Sequence, residues 1–119
     1  MRLLVLILGV GFLLQGLAWI LAPALAADGL GMPLLDGLGR STQVGDFAAF
    51  FLTAGATMIV GSRPGRTRLL VVPAGLFTAA AIGRTLAWLA HGAAFATTFI
   101  GVEVAVAALL ATVARRGPA

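Results

Sequence analysis

Residues Leu69 to His91 read LLVVPAGLFTAAAIGRTLAWLAH, a hydrophobic run long enough to cross a bilayer with Arg84 inside it. A guanidinium in hydrocarbon costs about 2.5 to 3.5 kcal/mol on insertion scales, so the group that neutralises Arg84 dictates how the other segments pack. Glu103, in the next apolar segment, is the expected partner.

Composition agrees with a membrane chain. Of 119 residues 61% are hydrophobic and only 10% charged, beyond the range of an ordinary soluble domain, and the length suits one domain over 1–119. The net charge of +4 does not point to nucleic acid, because the arginines form no stripe interleaved with aromatics on a polar face. With no cysteine, disulfides, thiol nucleophiles and thiolate metal sites are excluded. Arginine without lysine, beside abundant Ala and Gly, suggests a GC-rich bacterial genome.

Working outward, the run from Phe95 to Ala114 follows a short turn at Gly92–Ala94 and makes a last span before Arg115 and Arg116. Upstream of Leu69 lies a tight basic turn, SRPGRTR at 62–68, and before it a span from Gln43 to Gly61, with Ser41 or Thr42 available as cap. Leu3 to Ala22 forms the first span; the about 20 residues a spanning helix needs are present. A secretory signal peptide is the rival reading, since Ala24-Leu25-Ala26 resembles a cleavage site, but the apolar run exceeds the roughly 7 to 15 residues of a signal core. Between these spans, PALAADGLGMPLLDGLGRST at 23–42 is rich in glycine and proline and reads as a connection lying on the bilayer surface or folding over the helix ends as a lid.

The expected fold is therefore all-α, an integral membrane four-helix bundle with spans at about 3–22, 43–61, 69–91 and 95–114. Arg2, Arg63, Arg66, Arg68, Arg115 and Arg116 fall on one side and only Arg40 on the other, so both termini are expected in the cytoplasm, N-in/C-in. Trp19 and Trp88 fall at the outer ends, where interfacial indoles belong. The expected location is the bacterial cytoplasmic (inner) membrane, multi-pass.

Each span also carries one polar residue in its outer half: Gln15, Asp46, Arg84 and Glu103. Helical spacing places each beside small residues that permit close helix contact, so all four are expected to face inward, with Arg84 paired to Glu103 and Asp46 or Gln15 completing the guanidinium's bonds. Two acids and one arginine leave room for a proton or for a cationic or hydrogen-bonding guest. These four residues are the expected ligand-binding set; a purely structural pair fixing helix register is the blander reading. His91, with no second His or Cys near it, is an interfacial residue and not a metal ligand. Phe47, Phe50, Phe51, Phe77, Phe95 and Phe99 supply bulk, and any lying between helices could wall a pocket for an isoprenoid or acyl chain. No phosphate loop, metal motif or nucleophile elbow is present, so neither a catalytic residue nor a cofactor is expected.

The polar entry to the second span, GRSTQVGD, the Gly83-Arg84 pair and Glu103 together resemble an uncharacterised, domain-of-unknown-function family of small bacterial four-helix membrane proteins, distantly DoxX-like. The resemblance implies a compact four-helix bundle with a polar centre and supplies no reaction. Where it leads us to expect an acid at the entry to the second span, this chain has Gln43 and, three residues on, Asp46. The expected function is a non-enzymatic membrane protein whose polar cluster holds the bundle together and binds a small, lipid-like or quinone-like ligand, or an accessory subunit of a larger membrane complex. A proton- or ion-coupled carrier acting as a homo-oligomer is the alternative, and a membrane enzyme using Glu103 the least supported.

Overall fold

A computed structural model describes residues 1–116; the last three residues of the expected 1–119 domain lie outside the described residues. Among the described residues every regular element is helical: α1 (Arg2–Leu21), α2 (Pro23–Gly29), α3 (Gly37–Gly61), a 3-10 turn (Thr67–Leu70), α4 (Val71–His91) and α5 (Thr97–Arg116). Four helices are long and apolar enough to cross a membrane, Arg2–Leu21, Gly37–Gly61, Thr67–His91 and Thr97–Arg116, as a multi-pass membrane protein requires. At about 1.5 Å per residue, the 20-residue α1 and α5 match a hydrocarbon core of about 30 Å.

The helices associate as two antiparallel pairs, α1 with α3 and α4 with α5. The first pair is closed by a glycine seam. At Gly55 a Cβ would fall on the backbone of Leu13 and on Gly9 O, and at Gly16 it would fall on Leu52. Hydrocarbon tails are as apolar as leucine, so the attraction here is backbone-to-backbone packing that only small residues allow. The two pairs are joined at the arginine-rich end, where the 3-10 turn packs on both α3 and α5 and Leu70, fully buried, takes the space beside Gly61. Val5, Met58, Leu70, Leu110 and Val113 fill that end with a solid apolar core. Because α1, α3, α4 and α5 alternate in direction, Arg2, Arg63, Arg66, Arg68, Arg115 and Arg116 share one end of the molecule.

At the opposite end the structure departs from the sequence reading. The 23–42 connection is not irregular throughout: α2 starts with Pro23 at its first turn, where a proline's missing N–H costs nothing, and ends at Gly29. The next helix begins at Gly37, six residues before the expected Gln43, so Ser41 and Thr42 are inside it and cap nothing. Gly37 adopts a left-handed φ of 54°, which turns the chain from extended Asp36 into the helix without a Cβ clash. Arg40 fastens this first turn, donating through Nε to Leu35 O at 2.7 Å and through Nη2 to Asp36 Oδ1 at 3.3 Å. With the connecting segment so short, α2 folds back against α1. It covers Trp19, which is fully buried against Ala26 and Ala27 with its ring stacked on Phe47 at 4.9 Å. Trp19 is thus a core residue and not the interfacial anchor expected of it; Trp88 is exposed, edge-on to Phe95.

Gln43 holds the connection in place. Its carboxamide accepts from Leu35 N at 2.9 Å and donates to Pro33 O at 3.0 Å, and the side chain is buried. An amide serves here because both a donor and an acceptor are used. Gln43→Ala removes both bonds from a partly buried junction and is expected to cost about 1 kcal/mol. A thermal melt in detergent reads this directly, and an unchanged midpoint would mean that water replaces the lost bonds.

Candidate functional site

The polar residues of the spans sort themselves by whether the helix satisfies them. Thr57, Thr78, Thr85 and Thr112 each donate to the carbonyl four residues earlier, so none has hydrogen-bonding capacity that demands a distant partner. Gln15, Arg84 and Glu103 have no such local outlet. Arg84 lies seven residues before the end of α4, and Glu103 six residues after the start of α5, so the short turn at Gly92 brings both to one level, about 10 Å from the helix ends.

The ion pair suggested by the sequence is formed. Arg84 Nε–H donates to both Glu103 oxygens, at 3.0 and 3.1 Å, and Phe99 covers one face of the guanidinium with its ring centroid 4.6 Å from Cζ. The Glu103 side chain is 11% exposed and that of Arg84 32%, so the carboxylate is enclosed while the guanidinium reaches open space. Among the described residues the remaining guanidinium N–H groups and the Gln15 carboxamide have no hydrogen-bond partner.

That open space is a cavity of about 410 Å³ between the two helix pairs. It falls in the range of about 300–1,000 Å³ typical of small-molecule sites. Ile7, Leu8, Gly11 and Phe12 wall it from α1, Phe50 and Phe51 from α3, Phe77 from α4, and Val102 from α5, with Gln15, Arg84 and Glu103 as its polar spots. Gly29 and Leu30, at the end of α2, also line it, so the lid reading of the connection has a structural counterpart. Phe12, tilted on Phe77 at 4.8 Å, and Phe50, edge-on to Phe77 at 5.5 Å, form a rigid aromatic floor.

Asp46 is not part of this arrangement. The stripe Asp46, Thr53, Ala56 faces outward, and the face of α3 turned to the bundle is Gln43, Ala48, Phe51, Gly55 and Met58. With Gly16 opposite Leu52 and Trp19 on Phe47, Asp46 is level with the end of α1. On that outward face Asp46 is exposed and lies away from Arg84. His91 is exposed at the end of α4, and no group of three His, Cys, Asp or Glu capable of holding a metal occurs among the described residues. Sequence reasoning overlooked Phe12; it offered 23–42 as a lid, and the proline at the head of an alanine-rich run was the available signal that 23–29 is helical.

Comparison with protein-family models, curated proteins and solved structures gives no match for this chain.

Proposed function

We propose that the protein is a non-enzymatic, multi-pass protein of a bacterial cytoplasmic membrane, N-in/C-in, that shelters a lipid-like amphiphile in the cavity between its two helix pairs. The orientation rests on the arginines, six at one end of the bundle against Arg40 at the other. The carrying observation is the pairing of an aromatic-walled cavity with unpartnered donors on Arg84 and Gln15, which in hydrocarbon are costly unless something occupies them. The bundle would stand in the same broad group as the DoxX-like four-helix proteins its motifs resemble, and it could serve within a larger membrane complex or homo-oligomer. A proton- or ion-coupled carrier comes second, because Val5, Met58, Leu70 and Leu110 close the arginine-rich end and, among the described residues, no ionisable side chain is buried there.

Filling the cavity tests this reading. A Cβ added at Gly11 would meet no atom within 4 Å, so Gly11→Leu projects a side chain into the cavity without disturbing the backbone. Native mass spectrometry of gently extracted protein is expected to show a bound amphiphile on the wild type and its loss from a normally melting Gly11→Leu variant. Wild-type protein that leaves the membrane bare would overturn the proposal.

A further inference from the structure

The chemistry of the occupant's polar end can be read from the balance of donors, acceptors and charges at the site, on the assumption that an amphiphile binds there as proposed above. We infer that the head is uncharged and accepts hydrogen bonds, an amide, ester or ketone carbonyl on an apolar chain, and that it enters from the bilayer between α1 and α5.

Charge comes first. Arg84 and Glu103 neutralise each other, with Arg84 Nε–H shared between the two carboxylate oxygens. An anionic head would compete with Glu103 for the guanidinium and leave one negative charge in excess in a low-dielectric space; a cationic head would meet Arg84 and leave one positive charge in excess. Asp46, which would have made room for a cation, is outside the cavity. Only a neutral head leaves the pair intact.

Hydrogen bonding sets the polarity of that head. The unpartnered groups are the terminal N–H groups of Arg84 and the carboxamide of Gln15, a surplus of donors over acceptors. A carbonyl oxygen, with two lone pairs, can take one donor from each. An alkyl chain attached to it then runs along Phe12, Phe50 and Phe77. The entry follows from the packing: α1 holds to α3 and α4 to α5, whereas α1 and α5 barely touch, and the cavity walls Ile7, Gly11 and Val102 are exposed along that gap.

Three probes of equal chain length separate the alternatives: decanamide, decanoate and decylamine, each titrated into purified, delipidated protein and followed by melting temperature and by native mass spectrometry. Decanamide is expected to bind about tenfold or more tightly than either charged probe, a difference of about 1.4 kcal/mol or more. The Gln15→Leu variant, which leaves the ion pair untouched but removes one of the two donors to the carbonyl, is expected to fold and to bind decanamide about tenfold more weakly, while still rejecting the charged probes. Decanoate or decylamine binding as tightly as the amide would overturn the inference while leaving the amphiphile-binding proposal in place. Failure of all three to bind would overturn both.

Discussion

Gly55→Ala is expected to destabilise the bundle by about 3 kcal/mol or more, at the top of the range for overpacking, and Gly55→Leu to prevent assembly of the α1–α3 pair altogether. The new Cβ would collide with Leu13 N, with Leu13 Cα at 2.7 Å and with Gly9 O at 2.8 Å. These are backbone atoms, so no rotamer change relieves the contact and α1 must move away from α3 along its length. That movement opens the Gly9 and Gly16 contacts on the same seam, which is why one methyl has so large an effect. Alanine's better helix propensity, worth about 1 kcal/mol over glycine, only partly offsets this. Gly75, where a Cβ meets nothing within 4 Å, provides the control: Gly75→Ala should melt at or above the wild-type temperature. Melting in a mild detergent, compared across the three variants, decides the matter, and a Gly55→Ala protein within about 0.5 kcal/mol of wild type would show the pair to be held by something other than close approach.

This seam also shows what could and could not be read from the sequence. The four spans were legible because each is a long apolar run bounded by arginines or turn residues, and hydrocarbon forces such a run into a helix that satisfies its own backbone. Arg84 with Glu103 was legible because an intramembrane charge demands an opposite one at the same depth. Which small residues make the seam was not. Gly11 and Gly9 look alike in the sequence, yet Gly9 packs on Met58 while Gly11 faces the cavity. The choice depends on the rotation of α1 about its axis, which the bulk of Phe12 and Trp19 decides through partners far along the chain. Asp46 went astray for a related reason. The rule that polar residues in spans face inward fixes no rotation by itself, and the packing of Phe51, Gly55 and Met58 on α1 turns the Asp46 face of α3 outward. The cavity itself is the difference between two well-packed pairs and a poorly packed gap, a property of no single segment.

Glu103→Gln is expected to cost about 3–5 kcal/mol, and the double variant Arg84→Met, Glu103→Leu to recover most of that loss. Removing the carboxylate alone strands a guanidinium in an apolar setting; removing both charges leaves side chains that hydrocarbon and the neighbouring Phe99 accept. Snorkelling limits the single-variant loss, because Arg84 is already 32% exposed and lies about 10 Å from the end of its helix. The guanidinium would have to leave the face of Phe99 to reach the headgroups, which keeps most of the loss in place. The double variant then distinguishes the two roles that a buried pair can have. If the pair only fixes helix register, the recovered bundle behaves as the wild type in every respect, including what it retains on extraction. If the pair exists to present the guanidinium N–H groups to the cavity, the recovered bundle is stable and empty. We expect the second result: melting restored to near the wild-type temperature, with the bound amphiphile absent from the native mass spectrum. A double variant as unstable as Glu103→Gln would mean that the charges, and not the space around them, hold the third and fourth spans together.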